Sequence, residues 1–258
     1  MANPQAALDQ ALDEKTLVLI YQPIHSCKTG AIIAAEALLR QRRESGEIRE
    51  AGMITAAAEE GPELFRLDSW VVREAYRNAA QWQNNGAPGI RLNVNLSPRE
   101  FQEGAVLARL ETLLSSSRID PYNVDLEITE TSYIDSPEET MHVLEALKEL
   151  GIRLWLDDFG TGHSSLEHVQ HFPLAGVKIA AQFIAGCITD ARCRAITKSI
   201  IQMAHEIGLA VIAEGVEKQE QLDYLCELGC EAVQGFLLNK PMTLEEFLTL
   251  VRFETVAG

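Results

Sequence analysis

No apolar run in this sequence reaches the ~20 residues that a bilayer-spanning helix needs, and no membrane segment is expected in its 258 residues. The polar opening, Met1-Ala2-Asn3-Pro4-Gln5, lacks the apolar centre of a secretory leader. Basic residues are scarce: 22 Lys+Arg stand against 38 Asp+Glu, a net charge of −16. Affinity for nucleic-acid polymers rests on lysine and arginine neutralising phosphates, and the one basic cluster is the short Arg40–Arg43 stretch, so a nucleic-acid partner is excluded. The five cysteines, at 27, 187, 193, 226 and 230, are odd in number and form no C-x-x-C pair, which excludes a disulfide framework and a zinc knuckle. His163, His168 and His171 lie close together but lack a fourth ligand at finger-like spacing. No linker or low-complexity stretch interrupts the chain, so one domain is expected over 1–258, with a core of about 15–250, in the cytoplasm.

What is present is a regular alternation. Ser136-Pro137-Glu138-Glu139 reads as an N-cap, an N1 proline and an acidic first turn, with Gly151 as the stop. Ser97-Pro98-Arg99-Glu100 and Thr243-Leu244-Glu245-Glu246 repeat the capping signal, and Asp190 opens a helix that Gly208 ends. Further helices are expected between Glu63 and Trp82 and from about Gln219 to Gly229. Strand-like runs fall at Leu17–Gln22, Ala31–Leu38, Ile90–Leu96, Val124–Thr129, Arg153–Asp157, Gly176–Ile179, Ala210–Ala213 and Ala232–Phe236. Only the turn at Lys28-Thr29-Gly30 separates the first two, which suits a hairpin. Every later gap holds a helix, so the remaining strands are parallel through right-handed crossovers. The expected fold is a TIM-like (β/α)8 barrel with an antiparallel first strand.

Chemistry in such barrels sits at the C-terminal ends of the strands. Those ends read Glu36, Asn95, Glu127, Asp157-Asp158, Lys178, Glu214 and Gln234. In Val124–Thr129, Leu126 and Ile128 share one face while Asp125 and Glu127 share the other. Apolar strands that repeatedly finish on carboxylates are not what packing selects, because an unpaired buried charge is costly. Five carboxylates and one ammonium sum to −4, which two divalent cations cancel. A ligand set of oxygens favours Mg²⁺, Mn²⁺ or Ca²⁺ over zinc, and two such ions form a clamp for displacement at a phosphodiester.

These residues fall within segments with a familiar order: Tyr21-Gln22-Pro23-Ile24, Glu36-Ala37-Leu38-Leu39-Arg40, Asn93-Val94-Asn95-Leu96-Ser97 and Glu127-Ile128-Thr129-Glu130-Thr131. They continue through Leu156-Asp157-Asp158-Phe159-Gly160-Thr161-Gly162, Ser164-Ser165-Leu166, Val177-Lys178-Ile179, Ala213-Glu214-Gly215-Val216-Glu217, and Gln234-Gly235-Phe236 with Pro241. In these the chain resembles the EAL-domain family of cyclic di-GMP phosphodiesterases over roughly residues 15 to 250. The resemblance implies two-metal hydrolysis of cyclic di-GMP to linear pGpG by a homodimer, with Mg²⁺ or Mn²⁺ active and Ca²⁺ inhibitory. It implies that Glu36, Asn95, Glu127 and Asp157 ligate one metal, that Asp157, Asp158 and Glu214 surround the second, and that Lys178 orients the attacking water. Glu36, Asp158, Lys178 and Glu214 would be the catalytic set. Substrate contacts would come from Gln22, Leu38, Arg40, Asn95, Gln234 and Pro241, and Glu130 would anchor the Asp158–Ser165 loop.

The chain departs from the family at Lys178-Ile179-Ala180-Ala181, where Lys-Ile-Asp-Arg is usual. By the period of two, Ala180 should face the barrel beside Lys178, so a carboxylate near the metals is missing. Gln41 and His163 also stand where aromatic residues are usual. The alternative to an enzyme is therefore a receptor that binds cyclic di-GMP without cleaving it and signals through a protein partner.

Overall fold

A computed structural model describes residues 4–13, 15–52, 54–55, 64–84, 87–96, 105–117, 120–129, 137–161 and 166–257. Its strands are β1 Leu17–Ser26, β2 Ile32–Arg42, β3 Ile48–Glu50, β4 Arg91–Leu96, β5 Val124–Thr129, β6 Arg153–Phe159, β7 Gly176–Ile179, β8 Ala210–Ala213 and β9 Ala232–Val233. Its helices are α1 Pro4–Asp13, α2 Leu64–Asn84, α3 Ala105–Ser117, α4 Pro137–Glu149, α5 Leu166–His171, α6 Ala181–Gly186, α7 Ala191–Glu206, α8 Gln219–Glu227 and α9 Leu244–Ala257. None of the described helices is long and apolar enough to cross a membrane.

Eight strands close into a ring in the order β1-β9-β8-β7-β6-β5-β4-β2, with β2 returning to β1. Strand β1 is antiparallel to both neighbours, and β2, β4, β5, β6, β7, β8 and β9 run parallel, so the expected barrel with its reversed first strand is present. Two details differ from the sequence expectation. Strand β2 runs on to Arg42 and folds back through Gly46 (φ 86°) into β3, so Arg40–Arg43 lies in and beside a hairpin. Strand β9 stops at Val233, because the chain leaves the ladder at Gln234 to form a loop over the barrel mouth.

The capping signals act where they lie among the described residues. The Asp190 side chain accepts from Arg192 N and Cys193 N at the start of α7. Thr243 and Glu246 exchange hydrogen bonds before α9, with Thr243 N 2.7 Å from Glu246 Oε2 and Glu246 N 3.4 Å from Thr243 Oγ1. Helix α4 begins at Pro137, and Gly151 (φ 88°) follows its end. The motifs at Ser97, Ser136 and His163 fall outside the described residues.

Two apolar layers position the site. Outward-facing residues of the strands, such as Leu92, Val94, Leu126, Ile128, Leu154, Val177 and Val211, pack under the helices in one core. A second, smaller cluster joins Ile24, Ala34, Trp155, Ile212 and Ala232. Each of these stands two residues from a polar residue that the sequence assigned to the site: Gln22, Glu36, Asp157, Glu214 and Gln234. The period of two thus makes this cluster the layer directly beneath the site. The Trp155 indole fills the layer so closely that a Cβ on Gly176 would lie 2.3 Å from its Cζ3, which explains the glycine there. Opposite Arg153 in the β5–β6 register, two residues before the Glu127–Trp155 pair, the Asp125 carboxylate, 1% exposed, is held by Arg91 and Arg153, and the Arg153 guanidinium lies 5.5 Å from the Trp155 ring. Asp125 is therefore a paired ion beneath Glu127.

Candidate active site

Strands β2, β4, β5, β6 and β7 each deliver one or two polar side chains to the mouth of the barrel, Glu214 follows directly after β8, and Lys178 lies at their centre. Its Nζ is 2.6 Å from Glu214 Oε1, 2.9 Å from Glu127 Oε1, 3.4 Å from Glu36 Oε2 and 3.5 Å from Asp157 Oδ1. Lys178 and Glu127 are both 0% exposed. Burial alone would push the ammonium down, but Glu127, Glu36, Glu214 and Asp157 hold it well above the usual lysine range.

The acids respond differently to the same cluster. Burial, with Glu36 and Asp157 as like-charged neighbours, pushes Glu127 well up despite Lys178. Burial likewise raises Glu214 to about 7, against the pull of Lys178. Asp158 is raised by partial burial and by the adjacent Asp157. Glu36 goes the other way: burial is overridden by Lys178, by the Gln234 amide at 2.7 Å and by the Asn95 amide at 3.0 Å, and its carboxyl is lowered.

Adjacent residues of a regular strand point to opposite faces, yet Asp157 and Asp158 both serve this site. The ladder between β6 and β7 slips between Leu156 and Phe159, and Asp158 takes φ 51°, the left-handed region that aspartate tolerates better than most residues. The bulge brings one oxygen each of Asp157, Asp158 and Glu214 within 4.8 Å of one another.

The donor set suits hard divalent cations. Glu127 Oε1 is served by Asn93 Nδ2 at 2.8 Å and by Lys178, while Glu127 Oε2 is buried and accepts no hydrogen bond. Asp157 Oδ1 is buried as well, with the Lys178 ammonium at 3.5 Å as its ion-pair partner. Buried carboxylate oxygens without donors are rare, because desolvating them is costly, and a cation supplies the missing partner.

Substrate-directed residues divide into two groups. Gln22, Leu38 and Gln234 line a cavity of about 410 Å³ together with Glu36, Asp157, Asp158 and Glu214. Arg40, Asn95 and Pro241 are not among its lining residues; Asn95 Nδ2 donates to Glu36 Oε1, and Arg40 folds back so that Nη1 donates to its own neighbour's carbonyl, Leu39 O, at 2.8 Å. Glu130 lies outside the described residues. Ala180 is buried and occupies the N-cap of α6 with no side-chain cap, and it is Ala181 that lines the cavity.

Sequence reasoning missed Asn93, Gly215, Glu217 and Phe236 as parts of this mouth. Asn93 was detectable, since it stands two residues before Asn95 on the same face. Gly235 shows why the β9 loop is so constrained: a Cβ there would lie 2.0 Å from Val216 O, so two backbones touch at that point.

Known proteins share this architecture. A family model described as EAL domain matches residues 5–241. Signaling protein YkoW of Bacillus subtilis is 36% identical over 245 residues, which are 95% of this chain and 30% of that protein. The cyclic di-GMP phosphodiesterase NbdA of Pseudomonas aeruginosa is 35% identical over 250 residues, 96% of this chain and 32% of that protein. This chain thus spans about a third of the length of these curated relatives. The structure of PaMucR phosphodiesterase in its c-di-GMP complex superposes with a TM-score of 0.89 at 32% identity, covering 95% of this chain and 100% of that one. With the motifs, the closed barrel and a family match over nearly its whole length, the chain belongs to the EAL domain family.

Proposed function

We propose that this chain hydrolyses cyclic di-GMP to linear pGpG in a reaction that depends on two divalent cations, Mg²⁺ or Mn²⁺. The observation that carries the reading is the convergence of four carboxylates on Lys178, with Asp158 beside Asp157 and Glu214, Asn95 on Glu36, and Glu127 Oε2 buried without a hydrogen bond. Glu36, Asn95, Glu127 and Asp157 would hold one cation, and Asp157, Asp158 and Glu214 the other. Bound there, the cations supply Lewis-acid polarisation of the phosphodiester and a water acidic enough to attack at neutral pH.

The chain's own groups do the rest. Lys178, kept charged by its four neighbours, orients the attacking water and meets the negative charge that develops on the phosphoryl oxygens. Gln22, Leu38 and Gln234 form the wall against which the nucleotide lies. Arg40, a planar donor fork, would have to swing from Leu39 O to reach a phosphate. One P–O ester bond is broken, and the opened ring leaves as a linear dinucleotide with a terminal phosphate.

Incubation with cyclic di-GMP and Mg²⁺ or Mn²⁺, followed by chromatography, tests the reading: pGpG is expected, and stoichiometric binding with no product over hours refutes hydrolysis. Ca²⁺, larger and more loosely coordinated, is expected to bind without supporting cleavage; faster cleavage in Ca²⁺ than in Mg²⁺ counts against the two-metal arrangement. Glu36→Ala is expected to abolish turnover, and retained activity would refute the ligand assignment.

The uncapped Ala180 favours a second reading, a receptor that binds the nucleotide and cleaves it slowly or not at all. Ala180→Asp separates the two. It restores an N-cap, worth about 1 kcal/mol, and places a carboxylate two residues from Lys178. Faster pGpG release together with a higher Tm is expected. A higher Tm with an unchanged rate would make the position a cap alone.

A further inference from the structure

Strand β1 and the chain after β9 form an interrupted ladder. His25 pairs with Val233, Tyr21 pairs with Met242, and between these rungs residues 234–241 leave the sheet and return. This excursion carries Gln234, Gly235 and Phe236 to the cavity wall. Its backbone is already held by Leu237 N to Val216 O at 3.0 Å and Asn239 N to Gly235 O at 3.1 Å. A further set of contacts involves side chains.

The His25 ring is 6% exposed. Its Nδ1 donates to Gly30 O at 2.9 Å, and its Nε2 lies 2.8 Å from the side-chain amide of Asn239. An amide can present either its oxygen or its NH₂ to this ring nitrogen. The β1–β2 ladder slips between Ile24 and His25, and such a bulge re-aims the side chain that follows it. Asn239 in turn accepts on its backbone carbonyl from Gln22 Nε2 at 3.2 Å. Gln22 Oε1 accepts from Gln234 Nε2 at 3.0 Å, and the same amide donates to Glu36 Oε2 at 2.7 Å. A chain of hydrogen bonds, passing through both the side chain and the backbone carbonyl of Asn239, therefore runs from the β1–β2 turn to Gln22, Gln234 and Glu36.

We infer that His25 is a positioning residue: by fixing Asn239 it sets the Gln22 amide, and through it Gln234, in the orientation that receives the nucleotide. The inference rests on the proposed phosphodiesterase reading. Since the backbone holds the loop without His25, losing the imidazole should loosen the substrate wall while leaving the charged centre at Lys178 assembled. A merely structural histidine would instead lower the amount of folded enzyme and leave KM unchanged.

A double-mutant cycle with the full chain tests this. His25→Ala and Asn239→Ala are each expected to raise the KM for cyclic di-GMP about tenfold, as the loss of one buried hydrogen bond allows, with kcat nearly unaltered. The double variant should be no worse than either single one, because both break the same link. His25→Gln, which keeps a donor, should recover part of the loss. If His25→Ala does not fold, Asn239→Ala and His25→Gln provide the same readout from the loop side and from a conservative change. Effects on KM that multiply in the double variant, or a fall in kcat at constant KM, overturn the inference. A wild-type chain that neither binds nor cleaves cyclic di-GMP removes the phosphodiesterase reading itself; a wild type that cleaves, with variants of unchanged KM, removes the inference alone.

Discussion

Lys178→Met is expected to cost roughly 10²–10³-fold in turnover and to destabilise the metal-free protein by roughly 3–5 kcal/mol. The second effect follows from the arrangement rather than from the chemistry. Four carboxylates lie within 3.5 Å of Nζ, and the ammonium is their one cationic neighbour among the described residues. Without it, Glu127 at 0% exposure and its partners must either repel one another or take up protons. The variant should therefore gain more Tm from Mg²⁺ or Mn²⁺ than the wild type, because added cations replace the lost charge. The pH dependence has a definite sign. Glu214 titrates near 7 in the metal-free fold, above its ordinary value of 4.5, so the folded chain keeps a proton that the unfolded chain has released. Metal-free stability from this group is present below pH 4.5 and is lost as pH rises towards 7. Thermal unfolding across that range, with and without metal, measures both claims. A metal-free variant as stable as the wild type would contradict the central ion cluster.

Glu127→Gln should affect activity in the same direction and stability in the opposite one. The change is isosteric. The amide oxygen can still accept from Asn93 Nδ2, and the new NH₂ replaces an oxygen that already has no donor. Burial already pushes the Glu127 carboxyl well up, so removing its charge relieves the metal-free fold and raises its Tm. If Glu127 holds a cation as proposed, turnover by contrast falls roughly 10²–10⁴-fold, the several kcal/mol that such a ligand contributes. Calorimetric titration of Mn²⁺ into both proteins should show weaker binding in the variant. Metal affinity equal to that of the wild type would remove Glu127 from the ligand set. On the proposed reading, Glu127 and Glu214 cost the metal-free fold stability that bound cations would offset, a common trade between stability and function.

Much of this was legible in the chain because the barrel converts the period of two into position. Glu36, Glu127, Asp157, Lys178 and Glu214 could be identified as neighbours from strand ends alone, and they converge within one cluster. The short run Ile48–Glu50 was not legible, since three residues with charged partners carry no alternation. Helix α1 was also missed. Its Leu8 and Ala11 are buried against Leu17, Ile54 and Leu67, a pairing that only the closed fold brings about. The bulge that brings Asp158 back to the site depends on local backbone geometry rather than on residue type. Arg40 was assigned from the motif alone, yet its guanidinium rests on Leu39 O. His25 and Asn239 lie too far apart in sequence for spacing to join them.

The seam between β1 and β9 also bears on how the chain is made. It consists of two paired residues, whereas β1 and β2 pair from Leu17 to His25. Gln22 and Gln234, which meet across it, are 212 positions apart in sequence. A contact of that separation forms late, since its closure entropy must be met before it contributes. During synthesis the β1–β2 hairpin is made well before β9, and the edge of β1 stays unpaired until β9 and the residues after it follow. Gln22 and Glu36 are already side by side in that hairpin, but the Gln234 amide that bridges them is made after both, so this wall of the cavity is completed in the same event that closes the barrel.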